Sequence, residues 1–308
     1  MGGVPKSLVA VALTSLGLAG AALAAEPMSL KQYMALQGPA PTAHIAYGEA
    51  PQQYVEFFEP AGAGPFPVAV LIHGGCFQND FEGMPQFRGM AGALAAQGIA
   101  VWSIEYRGVD RLGGGYPGTW LDIRAALDLL VAQAPSRRLD TQRLVLVGHS
   151  AGAVLGLWAA GRAKLPTASP LYEAHPLTIR QVVAVGSVAD LPAASARILQ
   201  EKCEVDLSKL TGLPTAERPD VDADTNPFAL TPNGSATLFI NGDHDTIAPP
   251  KPSADYAARV RERGDVAETL VLPRASHFDE VAVTSPAWAL VEPAILKALG
   301  LPPASPGR

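Results

Sequence analysis

A serine between two glycines stands at the end of an apolar strand and is the residue best placed for nucleophilic chemistry. Residues 144–147 read Leu-Val-Leu-Val, GHSAG follows over 148–152, and a helix-forming run begins at Ala153. Only small residues tolerate the crowding beside a sharp strand-to-helix turn, and such a turn lifts the serine hydroxyl clear of the sheet. The pattern predicts Ser150 as a nucleophile and the amide of Ala151, at the helix N-terminus, as an oxyanion donor.

A serine nucleophile needs a second oxyanion donor, which belongs on a glycine-rich turn after an earlier buried strand. His73, Gly74 and Gly75 follow the apolar run 67–72, and Cys76 comes next. We predict that the amides of Gly75 and Cys76 point at the developing oxyanion and that His73 braces the turn. An ordinary strand-to-loop turn, the alternative, would not need two glycines after a histidine.

The nucleophile also needs a general base and an acid that orients it. Of the six histidines, only His277 follows a late strand, and the loop after residues 236–240 carries two aspartates. We favour Asp245 over Asp243 because it lies further into that loop, just before the chain turns. The order Ser150, Asp245, His277 is the one expected where such a serine elbow opens a triad.

Three further residues, Phe77, Tyr116 and His244, are candidates for the substrate pocket. The histidines do not have the spacing of metal ligands, so neither a metal nor an organic cofactor is expected.

Other charged residues have structural explanations at least as good as functional ones. Arg107 could line the pocket, or it could brace the oxyanion loop through a carboxylate such as Glu105 or Asp122. Asp279 is expected to orient the loop that carries His277. Asp190 could accept a hydrogen bond near the elbow, but we do not predict a catalytic role for it.

Strand and helix patterns alternate along the chain, which predicts right-handed crossovers and a mostly parallel sheet with helices on both faces. The active-site loops then belong at the carboxyl ends of the strands. The expected strands are 53–58, 67–72, 99–104, 143–147, 181–185, 236–240 and 268–272. The expected helices are 30–37, 86–97, 120–134, 153–163, 252–263 and 287–299.

The interval 189–233 breaks this alternation, since it is rich in prolines and charges and has no clear strand. Its length favours a lid over the active site, and the alternative is a long connection without a function of its own. It contains Cys203, which could form a disulfide with Cys76; two free thiols are the other possibility.

Charge and the chain ends narrow the function class. The net charge of −6 and the lack of a basic cluster argue against nucleic-acid binding. Residues 1–25 resemble a secretory signal peptide, with an apolar stretch too short for a full membrane anchor. The predicted organisation is a signal peptide, one domain over 26–301 and a disordered tail over 302–308. Export to the periplasm or the exterior follows, without stable membrane insertion.

Together these motifs resemble the α/β-hydrolases, within the esterase and lipase group that carries a His-Gly-Gly turn. They are most similar to the kynurenine formamidase-like branch. The resemblance spans about residues 55–299 and rests on HGG at 73–75, EYR at 105–107, GGGYPGT at 113–119, Asp122, GHSAG at 148–152 and HFD at 277–279. It implies the α/β-hydrolase fold with a lid insertion and a Ser-His-Asp acyl-enzyme mechanism.

Two departures favour a general carboxylic-ester hydrolase over a formamidase. Cys76 stands before Phe77, where formamidases often have an aromatic directly after His-Gly-Gly, and export is unusual for tryptophan catabolism. The leading expectation is therefore a hydrolase of small carboxylic esters. An arylformamidase or other amidase comes next, followed by a serine peptidase and by a catalytically silent binding protein on the same fold.

Overall fold

The computed structural model of the chain describes residues 26–80, 83–187 and 200–302. The strands are β1 (Ala43–Ala46), β2 (Tyr54–Phe58), β3 (Phe66–Ile72), β4 (Ala100–Ile104), β5 (Leu139–His149), β6 (Gln181–Val185), β7 (Ala236–Gly242) and β8 (Val266–Leu272). The α-helices are α1 (Leu30–Met34), α2 (Met84–Ala96), α3 (Gly118–Gln133), α4 (Ala151–Gly161), α5 (Leu207–Thr211), α6 (Asp222–Thr225), α7 (Pro250–Glu262) and α8 (Trp288–Ala298). Short 3₁₀ turns occupy Arg162–Lys164 and Pro227–Leu230.

Within the described ranges, eight strands form one sheet in the order β1-β2-β4-β3-β5-β6-β7-β8. β1 pairs antiparallel with β2 and β2 antiparallel with β4, whereas every other neighbouring pair is parallel. The carboxyl ends of β3, β5, β6, β7 and β8 therefore lie along one edge. This mostly parallel sheet is the predicted one, and its parallel pairing brings distant parts of the sequence to that edge.

Alternate residues of the central strands enter two separate cores because successive side chains of a strand point to opposite faces. On β3, Val68, Val70 and Ile72 join a core with α3, α4 and α7, whereas Ala69 and Leu71 join one with α2 and α8. Burial on both faces explains why the sequence of this strand is continuously apolar.

The sequence patterns missed one strand. β1 lies before residue 53, where the first strand was expected, and it pairs with β2 from Ala43 opposite Phe57 to Ala46 opposite Tyr54. It has only four residues at a sheet edge and buries none of them fully. A strand this short leaves little periodicity to detect.

Residues 200–230, which make up most of the described part of the predicted insertion, are called the insertion segment below. It contains α5, α6 and the second 3₁₀ turn. The predicted signal peptide, residue Asp190 and all but the first residue of the predicted tail lie outside the described residues. Among the helices that the structure describes, none is both long and apolar enough to cross a membrane.

Candidate active site

Ser150 occupies a sharp turn between β5 and α4. Its backbone has φ 52° and ψ −118°, a conformation rare for a residue with a side chain, and its amide donates to the carbonyl of Val185 at 2.9 Å. A Cβ on Gly148 would collide with the backbone of Gly152. A Cβ on Gly152 would collide with the carbonyl oxygens of Ile72 and His73, at the end of β3. Both glycines of the elbow are therefore required by close backbone approach.

His277 and Asp245 form a buried pair on the loops after β8 and β7. The Nδ1 atom of His277 lies 2.7 Å from Oδ2 of Asp245. The other carboxylate oxygen, Oδ1, accepts the amides of Ile247 and Ala248, each at 2.7 Å. Burial by itself would raise the pKa of Asp245, but the hydrogen bonds from His277 and from these amides lower it. Asp245 is thus an ionised acceptor that fixes one imidazole nitrogen as the N–H donor.

Contacts made by residues next to Ser150 and next to its partner Val185 place the elbow beside this pair. The ring of His149 lies 4.5 Å from the ring of His277, and its Nε2 donates to the carbonyl of His277 at 3.0 Å. Ser150 is hydrogen-bonded to Val185, and the next residue, Gly186, lies against the His277 ring, where a Cβ would come within 2.9 Å of Nδ1. The backbone that carries Ser150 is therefore next to the His277–Asp245 pair.

The glycine-rich turn after β3 has an unusual backbone. Gly75, Cys76 and Phe77 have φ values of 99°, 57° and 57°, and the amide of Gln78 closes the turn onto the carbonyl of Gly75 at 2.8 Å. Among the described residues, no hydrogen bond uses the amide of Gly75 or of Cys76. Consecutive amides in such a turn form a concave donor site that suits an anion.

His73 braces this turn, as predicted. Its Nδ1 lies 2.7 Å from the carbonyl of Gly74, and its Nε2 lies 3.0 Å from Oε1 of Glu105. Tyr106 stacks on the ring at 4.6 Å and donates its hydroxyl to the carbonyl of His73. The backbone at the start of the turn is therefore held on two sides.

The structure joins Cys76 to Cys203 by a disulfide across 127 residues of sequence, with the Cα atoms 5.5 Å apart. The side-chain amide of Gln78 adds a 3.0 Å hydrogen bond to the carbonyl of Cys203. The glycine-rich turn is thereby linked covalently to the insertion segment.

The three candidate pocket residues lie in different environments. Phe77, predicted as a pocket residue, has no exposed surface and packs in the core beneath the turn. Tyr116 is half-buried with its ring under Arg218, and its hydroxyl donates to Asp224 at 3.2 Å. Tyr116 thus contacts the insertion segment. His244 is exposed beside Asp245.

Arg107 and Asp279 have the structural roles that the sequence suggested. Arg107 makes a two-pronged hydrogen bond to Asp122, at 2.9 and 2.7 Å. Asp279 accepts the amide and hydroxyl of Ser276 and the amide of Met28, which ties the histidine loop to the N-terminal part of the described chain.

Two residues of the site were missed from the sequence, Gly186 and Glu280. Glu280 is fully buried, and burial, followed by the negative charge of Asp245, raises the pKa of its carboxyl well above the usual value. The available signal was a glutamate directly before the apolar residues 281–283, where an unpaired charge is costly.

Titratable atoms of His149, His277 and Glu280 lie within 4.8 Å of one another, which is close enough to consider a metal. Two of the nitrogens already have partners, however. Nε2 of His149 donates to a carbonyl, and Nδ1 of His277 is bound by Asp245. We therefore interpret this cluster as one that holds His277 in position.

Comparison with solved structures identifies the architecture. Esterase B from Lactobacillus rhamnosis, solved with a C6-C4 SN3 inhibitor, superimposes with a TM-score of 0.71 at 22% identity over 88% of this chain and 91% of that one. Esterase 2 of Thermogutta terrifontis, solved with propionate, superimposes with a TM-score of 0.66 at 20% identity over 86% of this chain and 96% of that one. These likenesses show the α/β-hydrolase fold.

A larger protein, a bifunctional GH43-CE protein of Bacteroides eggerthii, matches with a TM-score of 0.61 at 24% identity over 76% of this chain. This chain spans about a third of its length, since the match covers 35% of that protein. No curated protein matches the sequence.

The family model named BD-FAE matches residues 56–260. That range includes the glycine-rich turn, the serine elbow and the aspartate loop, and it covers more than half of the chain. The kynurenine formamidase-like branch is not among these findings. The chain belongs to the BD-FAE family of the α/β-hydrolase fold.

Proposed function

We propose that the protein is a serine hydrolase that cleaves small carboxylic esters through an acyl-enzyme. One observation carries the proposal: the His277–Asp245 pair lies against the backbone that holds Ser150 on its elbow. The esterases with the same fold support the choice of an ester over an amide substrate, and the propionate in one of them supports a short acyl group.

The roles follow from the hydrogen bonds. Asp245 holds the Nδ1–H of His277, which leaves the Nε2 lone pair to accept the proton of Ser150. The Ser150 Oγ attacks the ester carbonyl, and the resulting oxyanion receives hydrogen bonds from the amides of Gly75, Cys76 and Ala151. Each such donor contributes about 3 kcal/mol to stabilising the transition state.

The intermediate then collapses as His277 gives its proton to the departing alcohol. A water molecule, deprotonated by the same imidazole, attacks the acyl-serine, and the imidazolium returns this proton to Ser150 Oγ as the acid is released. The chemistry needs only a base, an orienting acid and amide donors, so the proposal includes no cofactor. The substrate is a small molecule.

We extend the proposal to location, and assign the protein to the periplasm or the exterior. The sequence over residues 1–25 and the Cys76–Cys203 disulfide support this, because disulfides persist in oxidising compartments.

The first test is labelling with a fluorophosphonate probe, followed by mass spectrometry of the modified peptide. We expect one adduct, on Ser150, and none in Ser150→Ala, whereas the exposed Ser136→Ala variant labels like the wild type. Labelling elsewhere, or full esterase activity in Ser150→Ala, would overturn the proposal.

The second test defines the substrate. p-Nitrophenyl esters of increasing chain length are assayed beside N-formylkynurenine, and we expect the highest kcat/KM for short acyl esters. A higher kcat/KM for N-formylkynurenine than for any ester would assign the same mechanism to a formamidase instead.

A further inference from the structure

A buried glutamate that the proposed mechanism does not use lies directly behind the His277–Asp245 pair. Oε1 of Glu280 accepts the amide of Gly242 at 2.5 Å, at the point where β7 ends and the loop to Asp245 begins. A carboxylate oxygen of Glu280 lies within 4.8 Å of ring nitrogens of both His149 and His277. Glu280 therefore contacts the acid loop on one side and faces the general base on the other.

The second oxygen, Oε2, is enclosed but receives no N–H or O–H from the described residues. It lies over Gly186, where a Cβ would be 2.5 Å from Oε2 and 2.9 Å from Nδ1 of His277. The absent side chain of Gly186 thus makes room for the glutamate and the histidine together.

An ionised carboxylate in this place would have one oxygen without a donor and a second carboxylate, Asp245, as its neighbour. Burial and the charge of Asp245 both raise the pKa of Glu280, while the hydrogen bonds to Asp245 lower the pKa of that residue. Of these two carboxyls, Glu280 is therefore the one that holds a proton more readily. When it is protonated, Oε2 is a donor, and the Asp245 carboxylate is a neighbouring acceptor.

We propose that Glu280 is a positioning residue for the triad, an inference that rests on the proposed hydrolase function. Its Oε1 anchors the Gly242 amide, and its protonated Oε2 donates to the Asp245 carboxylate. Asp245 is then fixed from three directions: by Glu280, by the amides of Ile247 and Ala248, and by His277. Glu280 acts through Asp245 and does not touch the substrate.

A purely structural role is the alternative, and two variants separate the two. Glu280→Gln keeps an acceptor for the Gly242 amide and a donor toward Asp245, so it reproduces the protonated acid. Glu280→Leu has similar volume and removes both hydrogen bonds. Glu292→Gln is the matched control, because burial also raises the pKa of that glutamate but it lies on α8.

The experiment measures kcat and KM for a p-nitrophenyl ester from pH 6 to 10, with thermal unfolding of every variant. We expect Glu280→Leu to lose kcat by up to ~100-fold at an unchanged KM, since small displacements of a catalytic group have effects of this size. Glu280→Gln should retain the wild-type kcat near pH 7, as should Glu292→Gln.

The fall of kcat at high pH distinguishes the two roles, because a purely structural role of Glu280 would not change the pH at which it occurs. The groups facing Glu280 are Asp245, His277, Asp279 and His149. When Glu280 loses its proton, the two carboxylates repel and kcat should fall in the wild type. Glu280→Gln cannot ionise, so its kcat should persist to higher pH.

The outcomes are distinct from those of the proposed function. If the wild type is labelled on Ser150 but folded Glu280→Leu keeps its kcat, or if Glu280→Gln has the wild-type alkaline limb, the inference about Glu280 is wrong. If the wild type is not labelled at all, the hydrolase proposal itself fails.

Discussion

The loops that carry Ser150, Asp245 and His277 differ from the insertion segment in how they are held. Each of the three loops continues directly from a parallel strand, so hydrogen bonds of the sheet fix where it begins. The insertion segment has no strand, and it is held by side chains that reach its backbone carbonyls. Trp120 donates to Leu210 and Trp158 donates to Asp224, both at 2.8 Å.

Asp224 is the centre of that second arrangement. Its carboxylate is buried and accepts three hydrogen bonds from Arg218, at 2.9, 3.0 and 2.5 Å, and further ones from Ser169 and Tyr116. The guanidinium of Arg218 also lies 3.9 Å from the centre of the Tyr116 ring. Sheet topology thus positions the proposed triad, whereas side-chain contacts centred on the Arg218–Asp224 ion pair organise the insertion segment.

The largest expected effect comes from breaking the triad without disturbing the insertion segment. Asp245→Asn should lower kcat about 10⁴-fold, because an amide cannot hold His277 in the required tautomer or stabilise its charge. Steady-state kinetics on a p-nitrophenyl ester measure this loss, with unfolding temperature as the check on folding. Asp243→Asn, at the neighbouring exposed aspartate, is the matched control and should remain within a factor of two; equal losses in both would contradict the assignment.

The second prediction breaks the insertion segment without the triad. Asp224→Ala leaves the largely buried Arg218 side chain without its carboxylate partner, so the free energy of unfolding should drop by about 3 kcal/mol. Chemical denaturation measures this drop. Glu217→Ala removes an exposed carboxylate of the same segment and should change stability by less than about 0.5 kcal/mol.

Fluorophosphonate labelling of Ser150 should persist in folded Asp224→Ala. If that variant loses labelling while it remains folded, the insertion segment and the triad are not held independently, and the comparison above fails.

The third prediction concerns the covalent link between the two regions. Removing the disulfide with Cys203→Ser should lower the free energy of unfolding by about 3 kcal/mol, chiefly because the unfolded chain regains freedom. Reductant added to the wild type should reproduce the loss and leave the variant unchanged. A wild type whose denaturation midpoint does not respond to reductant, with the disulfide verified as reduced, would contradict this.

The smallest expected effect is a pH dependence that separates His149 from Glu280. Burial first, and then the charge of His277, lowers the pKa of His149 well below its usual 6.5. Below about pH 6.5 the unfolded chain therefore binds a proton that the folded state does not bind. The free energy of unfolding then falls with falling pH by up to about 1.4 kcal/mol per pH unit.

Glu280 contributes a pH dependence of stability with the opposite sign. Its raised pKa means that, above about pH 4.5, the unfolded chain releases a proton that the folded state keeps, so stability falls with rising pH. Between about pH 4.5 and 6.5 the two contributions oppose each other in the wild type. Relative to the wild type, His149→Gln should lose stability as pH rises through this window, whereas Glu280→Gln should gain it. Parallel curves of unfolding free energy against pH for all three proteins would contradict both assignments.

The same comparison explains what the sequence could predict. A continuous apolar run such as β3, followed by glycines, indicates both a buried parallel strand and the turn after it. The residues of the proposed triad could be named in advance because each follows a strand of the sheet. Sequence patterns also predicted seven of the eight strands within the described residues, and missed β1, whose four residues have no full burial to create a pattern.

The remaining features depend on contacts between residues far apart in the chain. Asp224 gathers Tyr116, Ser169 and Arg218, and nothing in the local sequence marks it as different from Asp220 or Asp222. The full burial of Phe77 is another feature that the local sequence does not predict. The backbone of Phe77 has a positive φ, which its residue type does not predict, and its side chain is buried in the core.

The disulfide also divides the chain into a ring and two ends. The closed ring runs from Cys76 to Cys203 and contains Ser150, whereas Asp245 and His277 lie on the arm that follows it. A protease that cut once between α4 and β6 would leave every part of the triad on one covalent molecule. A single cut between Cys203 and Asp245 would instead release the acid and the base from the nucleophile. The consequence of one cleavage therefore depends on its position. A cut inside the ring leaves the three residues covalently connected, whereas a cut in the stretch between Cys203 and Asp245 separates Ser150 from Asp245 and His277.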